Sequence, residues 1–375
     1  MRLTHSILAF LFVFVAASCA RKKQETSPAS MEVNTVRHAK GLRIEPRDGY
    51  SLVTVSNPWP GAAKEFHYIL KKAGAKLPAQ LPYPVIEVPV KRIVVTSTTH
   101  IPSLEMLGVE NTLVGFPNLN YISSEKVRAK ADGGKIRELG ANQSLNTEVA
   151  IDLQPDVIVA FGIENDNPGL RQLEKSGLKV ILNGDWNEQS PLGKAEWIKF
   201  FGALFGLESK ADSLFNDIER DYHSSRELAL TAKTKPTVLI GGMFESRWNV
   251  PRGESWGALF IRDAQGEYFW KDTQGTGSLS LPLETVMEKA ADAQVWIGPG
   301  QFGTRQEMIQ SNPHYREFSA LGKGNVYMFR KGPGGGVIYY ELAPNRPDLV
   351  LRDVIKMLHP DLLPGHELYF FEKIR

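Results

Sequence analysis

Cysteine is nearly absent from this sequence, which has one in 375 residues, at position 19. A disulfide framework and a cysteine-ligated metal site are therefore excluded. An excess of one charge is also lacking, because 44 Lys and Arg residues face 42 Asp and Glu residues, for a net charge of +2. Such a balance gives no overall field to recruit nucleic acid. With 42% hydrophobic and 23% charged residues, the composition is that of a globular protein, and the length predicts two lobes.

Residues 1–19 have the pattern of a secretory signal. Arg2 precedes the apolar run 7–17, and small residues lead up to Cys19. The run is too short for a membrane span, which needs about 20 residues. The end of this segment resembles the lipobox of bacterial lipoproteins, which implies that Cys19 is acylated and anchors the protein to a membrane on the periplasmic side of the cell envelope. Ordinary signal cleavage beside a chance cysteine is the alternative. Residues 20–30 are polar and aperiodic, as in a tether.

Residues 31–90 are predicted to form a small β extension. Segments 41–45 and 50–55 alternate apolar with polar residues on either side of Pro46-Arg47-Asp48-Gly49, which is a hairpin pattern. Segments 68–70 and 85–88 are further candidate strands, with prolines between and after them.

Two α/β lobes, 91–207 and 233–375, are predicted to follow. Short apolar runs alternate with helical segments in both, which is typical of βαβ units and a mostly parallel sheet. The apolar runs are 93–95, 156–161 and 180–182 in the first lobe and 238–240, 295–297 and 326–329 in the second. The helical segments are 102–107, 170–176 and 348–358.

Residues 208–232 are predicted to form one helix that links the lobes. Apolar residues recur there with the 3.6-residue period, among them Ala211, Phe215, Ile218 and Tyr222. About 24 residues at 1.5 Å each make a rod of about 36 Å, which is roughly the width of a domain. A surface helix of one lobe is the alternative.

A weak internal repeat relates the two lobes. Glu148 lies eight residues before Asp156 and the strand that Asp156 opens, and Glu284 lies eight residues before Asp292 in the same arrangement. Each glutamate is expected at the N-terminus of a short helix, where a carboxylate complements the helix dipole. Matching positions in two lobes favour a paired surface function.

Taken in order, these segments resemble the iron-chelate and cobalamin group of periplasmic substrate-binding proteins, which serve ATP-driven importers. The resemblance covers about residues 90–360 and rests on segments 91–95, 153–158 and 173–180 together with the linking helix and the two Glu–Asp units. It implies two Rossmann-like α/β lobes joined by one long helix (class III), no enzymatic activity and no cofactor. It also implies ABC permease and ATPase subunits as partners, with Glu148 and Glu284 docking on the permease. Residues 31–90 resemble an extension found in Bacteroidetes-type lipoproteins of this group.

The expected ligand is a metal chelate, either a ferric siderophore or cobalamin or heme, bound in a cleft between the lobes. Ligands of open α/β sheets bind beyond the carboxyl ends of the strands. The ligand-contact candidates are Thr99, His100, Arg247, Trp248, Arg252 and Trp256, and a second group is Phe116, Asn118 and Tyr121. Indole rings stack on flat ligands, and guanidinium groups bind carboxylates or catecholates. The alternatives are core packing for the tryptophans, a bracing or solvated cation for the arginines and a buried capping role for His100.

Two other functions compete with this reading. A zinc or manganese binding protein would need clustered ligands, whereas the eight histidines are scattered. A serine hydrolase is suggested by Gly253-Glu254-Ser255-Trp256-Gly257, which matches the nucleophile-elbow pattern around Ser255. Proline at 251 argues against the central strand that such an elbow requires.

Overall fold

The structure is a computed structural model that describes residues 35–78, 81–162 and 167–375. The signal segment, Cys19 and the tether predicted at 20–30 lie outside the described residues. Within the described ranges, no helix combines the length and the apolar character needed to cross a bilayer.

The N-terminal extension is a four-stranded sheet in the order β1-β2-β3-β4. Its strands are β1 (Leu42–Arg47), β2 (Tyr50–Val55), β3 (Phe66–Lys72) and β4 (Val85–Val88). The predicted hairpin is confirmed, because Arg47 pairs with Tyr50 across a two-residue turn in which Gly49 has φ of +79°. Glycine suits that position because its left-handed conformation is strained for other residues. β3 pairs antiparallel with β2, and β4 pairs parallel with β3.

The first α/β region contains a five-stranded sheet in the order β11-β10-β5-β6-β7, with all neighbours parallel. Its elements are β5 (Ile93–Val95), α1 (His100–Leu107), β6 (Leu113–Phe116), α2 (Glu125–Asp132), β7 (Arg137–Glu138), β8 (Gly140–Ala141), β9 (Ser144–Leu145), α3 (Thr147–Asp152), β10 (Val157–Phe161), α4 (Pro168–Lys175) and β11 (Val180–Asn183). The apolar runs form strands because a parallel strand is covered on both faces and carries few polar residues.

Three helices follow the first sheet, α5 (Pro191–Ala195), α6 (Ile198–Phe205) and α7 (Glu208–Ala229). The predicted linking helix is α7, with 22 residues. Its buried face joins two hydrophobic cores: Phe215 and Ile218 pack into the core of the first sheet, whereas Tyr222 and Ala229 pack into that of the second. One continuous helix therefore connects the two sheets, as the class III architecture requires.

The second α/β region contains a sheet in the order β15-β12-β17-β18-β19, parallel except for the edge strand β19. A three-stranded antiparallel sheet, β13-β14-β16, accompanies it. The elements of this region are β12 (Thr237–Ile240), β13 (Met243–Phe244), β14 (Arg247–Pro251), α8 (Trp256–Asp263), β15 (Glu267–Tyr268), β16 (Ser278–Leu281), α9 (Leu283–Ala290), β17 (Val295–Ile297), α10 (Arg305–Ser311), α11 (Ser319–Gly322), β18 (Val326–Phe329), α12 (Ile338–Leu342), α13 (Pro347–Leu358) and β19 (Phe371–Lys373).

Residues 37–41, ahead of β1, are held by two buried carboxylates. The backbone N–H groups of residues 37–39 donate to Glu196 at 2.5–3.0 Å, and those of residues 40 and 41 donate to Glu188 at 3.0 and 2.8 Å. Burial alone would raise the pKa of Glu196, but the N–H donors outweigh it and lower that pKa. The segment is thereby fixed to the helices that precede α7.

Candidate ligand-binding cleft

Each five-stranded sheet has a cavity at the carboxyl ends of its parallel strands. In the first sheet, a cavity of about 360 Å³ is lined by residues 96–98 after β5, by residues 116–118 and Tyr121 after β6, and by Phe161 at the end of β10. In the second, a cavity of about 330 Å³ lies beside Gly241 after β12 and Gly298 after β17. Carboxyl ends of strands are where open α/β sheets bind ligands, so these two edges form the candidate cleft.

Exposed aromatic side chains mark the same edges. Tyr121, Phe244 and Tyr340 are exposed by 64%, 69% and 59%, and they follow β6, β12 and β18 respectively. Tyr121 lines the cavity of the first sheet and Tyr340 that of the second, and large exposed apolar side chains beside a cavity are typical of a binding surface. The chain segments that carry Tyr121 and Tyr340 also touch. Gly336, four residues before Tyr340, lies so close to the Tyr121 carbonyl oxygen that a Cβ at position 336 would be only 2.5 Å from it.

Polar contacts connect the two α/β regions. The Asn345 amide donates to the carbonyl oxygen of Thr99 at 2.8 Å and accepts from the Ser103 hydroxyl at 2.7 Å. The Glu341 carboxylate accepts the backbone N–H groups of Ser123 and Ser124 at 2.7 and 2.9 Å. These contacts tie α12 and the turn before α13 to α1 and to the start of α2.

Glu341 is the titratable group at this junction. It is 2% exposed, and burial raises its pKa to about 7, against the lowering effect of the two N–H donors. Glu105, which lines the same 500 Å³ cavity, adds a like charge that also favours the protonated form. The carboxyl group of Glu341 therefore changes charge close to neutral pH.

The two predicted tryptophan contacts have different surroundings. Trp248 is fully buried, stacks on Trp296 with ring centroids 5.3 Å apart and donates from Nε1 to the Ile240 carbonyl oxygen at 3.1 Å. Its ring has no surface for a ligand, so the alternative of core packing describes it. Trp256 lines the cavity of the second sheet. Its ring lies beside that of Tyr339, with the ring centroids 5.4 Å apart.

The two predicted arginine contacts are braced by the chain itself. Arg247 is exposed on β14, and its guanidinium group donates to the carbonyl oxygen and hydroxyl of Ser280 on β16. Arg252 donates to the Gln274 carbonyl oxygen at 3.1 Å. Neither residue lines the cavity of the second sheet, so the alternative of a bracing cation fits both.

Thr99, which is half-buried, and His100 belong to a polar cluster around the buried Asp185. The Thr99 hydroxyl donates to Asp185 at 2.7 Å. His100 is fully buried, with Nε2 3.9 Å from an Asp185 oxygen, and burial lowers its pKa to about 4 against the opposing effect of that carboxylate. The imidazole is therefore neutral at physiological pH and has no exposed face for a ligand.

Glu148 and Glu284 occupy equivalent positions in the two regions. Each is the second residue of a helix, α3 or α9, and each is exposed. Each helix leads into a strand inside its sheet, β10 or β17. Because a helix that leads into a parallel strand runs back across the sheet, its N-terminus lies at the carboxyl edge. The helix positions expected from the repeat are confirmed, and neither carboxylate has an ion-pair partner among the described residues.

The features of the competing functions have structural explanations. The Ser255 hydroxyl caps α8 by accepting the N–H of Ala258 at 3.3 Å, and no histidine hydrogen-bonds to it in the described part of the chain. The strand before it, β14, belongs to the small antiparallel sheet rather than to a central parallel one. Across 35–78, 81–162 and 167–375, no three His, Cys, Asp or Glu side chains gather into a group that could hold a metal ion.

Sequence reasoning missed two exposed aromatic residues, Phe244 and Tyr340, of which Tyr340 lines the cavity of the second sheet. Phe244 follows β12 by four residues, so the rule that selected Trp248 also pointed to it. The distinguishing signal is the alternation along β14, where Trp248 and Val250 are buried while Arg247 and Asn249 are exposed. Tyr340 follows β18 by eleven residues, beyond the reach of a rule based on strand ends.

Comparisons with known proteins agree with this geometry. An uncharacterized lipoprotein of Methanocaldococcus jannaschii is 27% identical over 372 residues, which are 94% of this chain and 90% of the relative. A periplasmic heme-binding protein from Pseudomonas aeruginosa superimposes with a TM-score of 0.57 at 17% identity, over 76% of this chain and 98% of its own. A possible iron-binding (periplasmic solute-binding) protein from Staphylococcus epidermidis gives a TM-score of 0.55 at 18% identity, over 72% and 98%. The two structural likenesses concern the fold. The family model described as periplasmic binding protein matches residues 93–332, and the chain belongs to this family.

Proposed function

We propose that this protein is the substrate-binding component of an ABC importer, and that it captures a preformed metal chelate between the lobes 91–207 and 233–375. The observation that carries the proposal is an exposed ring at each of the two cavities, Tyr121 at the first sheet and Tyr340 at the second, with Phe244 exposed on β13 after β12. Rings contributed from two sides can hold a bulky ligand that neither sheet covers alone.

A chelate suits this cleft better than a bare metal ion. A chelated metal already has its ligands, so the protein needs only surfaces for the organic part. The described residues supply aromatic faces for that purpose and, in the first sheet, hydroxyl and amide groups from Ser97, Thr98 and Asn118. Trp256 remains a proposed contact at the second sheet. The ligand classes we propose are a ferric siderophore, cobalamin or heme, the last being named for the Pseudomonas aeruginosa structure.

Glu148 and Glu284 are proposed to dock on basic groups of a permease. Both carboxylates are exposed at the edge where the ligand would leave. Paired charges of this kind set orientation and encounter rate more than affinity. Cys19 is proposed to carry the lipid anchor on the periplasmic side of the envelope, in keeping with the relative named as a lipoprotein.

The ligand is tested by tryptophan-fluorescence titration with ferric siderophores, heme and cyanocobalamin in parallel, corrected for ligand absorption. Saturable quenching by one of them at micromolar concentration or below is expected. Tyr340→Ala should weaken that binding by about three- to tenfold, whereas Tyr50→Ala, in the hairpin of the extension, should leave it unchanged. No response to any of the ligands by folded protein would contradict the proposal.

Docking is tested separately by transport in a host that supplies the matching permease. The double variant Glu148→Ala/Glu284→Ala should abolish uptake while ligand affinity stays unchanged, because neither carboxylate lines the cavities. Glu288→Ala, on the exposed face of α9, is the control and should transport normally. Equal loss of affinity in the double variant would mean that the two residues shape the cleft.

A further inference from the structure

A larger cavity lies between the N-terminal extension and the first α/β sheet. It has a volume of about 560 Å³ and is bounded by β3 and the residues before β4 on one side, and by α4, β10 and β11 on the other. Ligand sites of proteins typically measure about 300–1,000 Å³. The cavity is therefore large enough to hold a ligand group.

The extension that forms one wall is firmly attached. The Tyr68 hydroxyl on β3 accepts the N–H of Leu182 on β11 at 3.1 Å. The Trp59 ring lies against the backbone of Gly162, where a Cβ would come within 2.9 Å of the ring. The wall is thus part of the folded protein and packs against the first sheet.

This cavity adjoins the one at the carboxyl edge of the first sheet. Thr96, Asn142, Gln143 and Phe161 line both the 560 Å³ cavity and the 360 Å³ cavity at the carboxyl edge of the first sheet. Asn142 is positioned between them by its amide, which donates to the Thr96 carbonyl oxygen at 2.9 Å. The two cavities therefore share a wall at these four residues.

Aromatic rings form much of the wall. Trp59 and Phe66 meet edge to face with centroids 5.6 Å apart, and His67 lies 4.7 Å from the Tyr83 ring. Phe161, at the end of β10, also lines the cavity. Aromatic walls favour a flat aromatic group, since its ring can stack on theirs or meet them edge to face.

Charges at the rim favour an acidic substituent. The Lys64 ammonium group lies 5.0 Å from the centroid of the Phe66 ring. No carboxylate among the described residues forms an ion pair with Lys64. The charge of Glu65 is matched by Arg43 at 3.3 Å, and α4 adds Arg171 and Glu174, one charge of each sign. Among the described residues, the rim charge that lacks a carboxylate partner is therefore that of Lys64, which is positive.

We infer that the extension and the first sheet enclose a second binding compartment, which takes a planar aromatic acid or phenol either as a free molecule or as an arm of the ligand in the cleft. The arm form rests on the proposed function. In that form the compartment makes the protein selective for chelates that carry aromatic arms over chelates of equal charge that lack them.

The test uses three probes: 2,3-dihydroxybenzoate, ferric enterobactin, which has catechol arms, and ferrichrome, which has no aromatic ring. Two variants alter the compartment, Tyr83→Ala by removing a ring and Leu145→Trp by filling the space. Tyr50→Ala on the same sheet is the matched control, since Tyr50 does not line the cavity. Far-UV circular dichroism and the unfolding midpoint verify that each variant is folded.

Tyr83→Ala is expected to weaken binding of the aromatic probes by about three- to tenfold, and Leu145→Trp more strongly, with ferrichrome and the control unchanged. Loss of 2,3-dihydroxybenzoate binding supports the free form, and loss of ferric enterobactin binding supports the arm form. Wild-type affinities of both variants for both aromatic probes would overturn the compartment. If ferric siderophores, heme and cyanocobalamin all fail to bind the wild type while 2,3-dihydroxybenzoate binds, the proposed function fails and the compartment stands.

Discussion

Replacement of Glu341 by glutamine is expected to change how the free energy of unfolding depends on pH. Because burial raises the pKa of this carboxyl to about 7 from its usual 4.5, the folded state holds the proton more tightly than the unfolded state. Below pH 4.5 both states are protonated and the contribution to stability is fully present. As the pH rises through 7, that contribution is lost.

The size of the effect follows from the two pKa values. The difference between about 7 and 4.5, at about 1.4 kcal/mol for each unit, corresponds to about 3 kcal/mol. Glutamine does not titrate, so the Glu341→Gln variant lacks this loss. Its amide nitrogen cannot accept the N–H of Ser123 or Ser124, which lowers stability by a constant amount and leaves the slope as the diagnostic quantity.

Urea unfolding followed by tryptophan fluorescence at intervals from pH 4 to pH 8 measures this slope. The stability of the wild type relative to Glu341→Gln should fall by about 3 kcal/mol across the range. Glu288→Gln, at an exposed site on α9, should run parallel to the wild type. Parallel profiles for the wild type and Glu341→Gln would refute the reasoning, because the junction carboxyl would then titrate as it does in water.

Three further outcomes are expected. Phe215→Ala in the linking helix should cost about 3–5 kcal/mol of unfolding free energy, against a change of about 0.5 kcal/mol or less for exposed Asp217→Ala in the same denaturation assay. Tyr68→Phe, which leaves the N–H of Leu182 without its acceptor, should cost about 1–3 kcal/mol and speed exchange of that amide; unchanged exchange would contradict this attachment. Trp248→Ala should lose about 3–5 kcal/mol, and a loss of ligand affinity at full stability would show that its ring is not a core residue.

The parallel strands and the linking helix could be predicted because their signals are local. The run at 157–161 is apolar throughout, and in the sheet it is covered on both faces. The 3.6-residue period around Phe215 and Tyr222 identified a helix whose buried face the structure shows in the same register. The hairpin at 42–55 followed from alternation on both sides of a turn. Each of these patterns lies within about 25 consecutive residues.

The cleft was harder to predict because it depends on partners distant in sequence. Nothing near Trp248 shows that Trp296 will stack on it or that β16 will pair with β14, and those contacts decide that its ring is buried. His100 meets Asp185 only after β11 is in place. The second compartment needs β3, β10 and α4 together, so no single segment could reveal it.

The attachment of residues 37–41 has a consequence for hydrogen exchange. Slow amide exchange normally reports a helix or sheet, yet this segment has neither. Its five consecutive N–H groups all donate to the carboxylates of Glu196 and Glu188, so they can exchange only when those carboxylates release them. These amides should therefore exchange together and about as slowly as the core helices beside them.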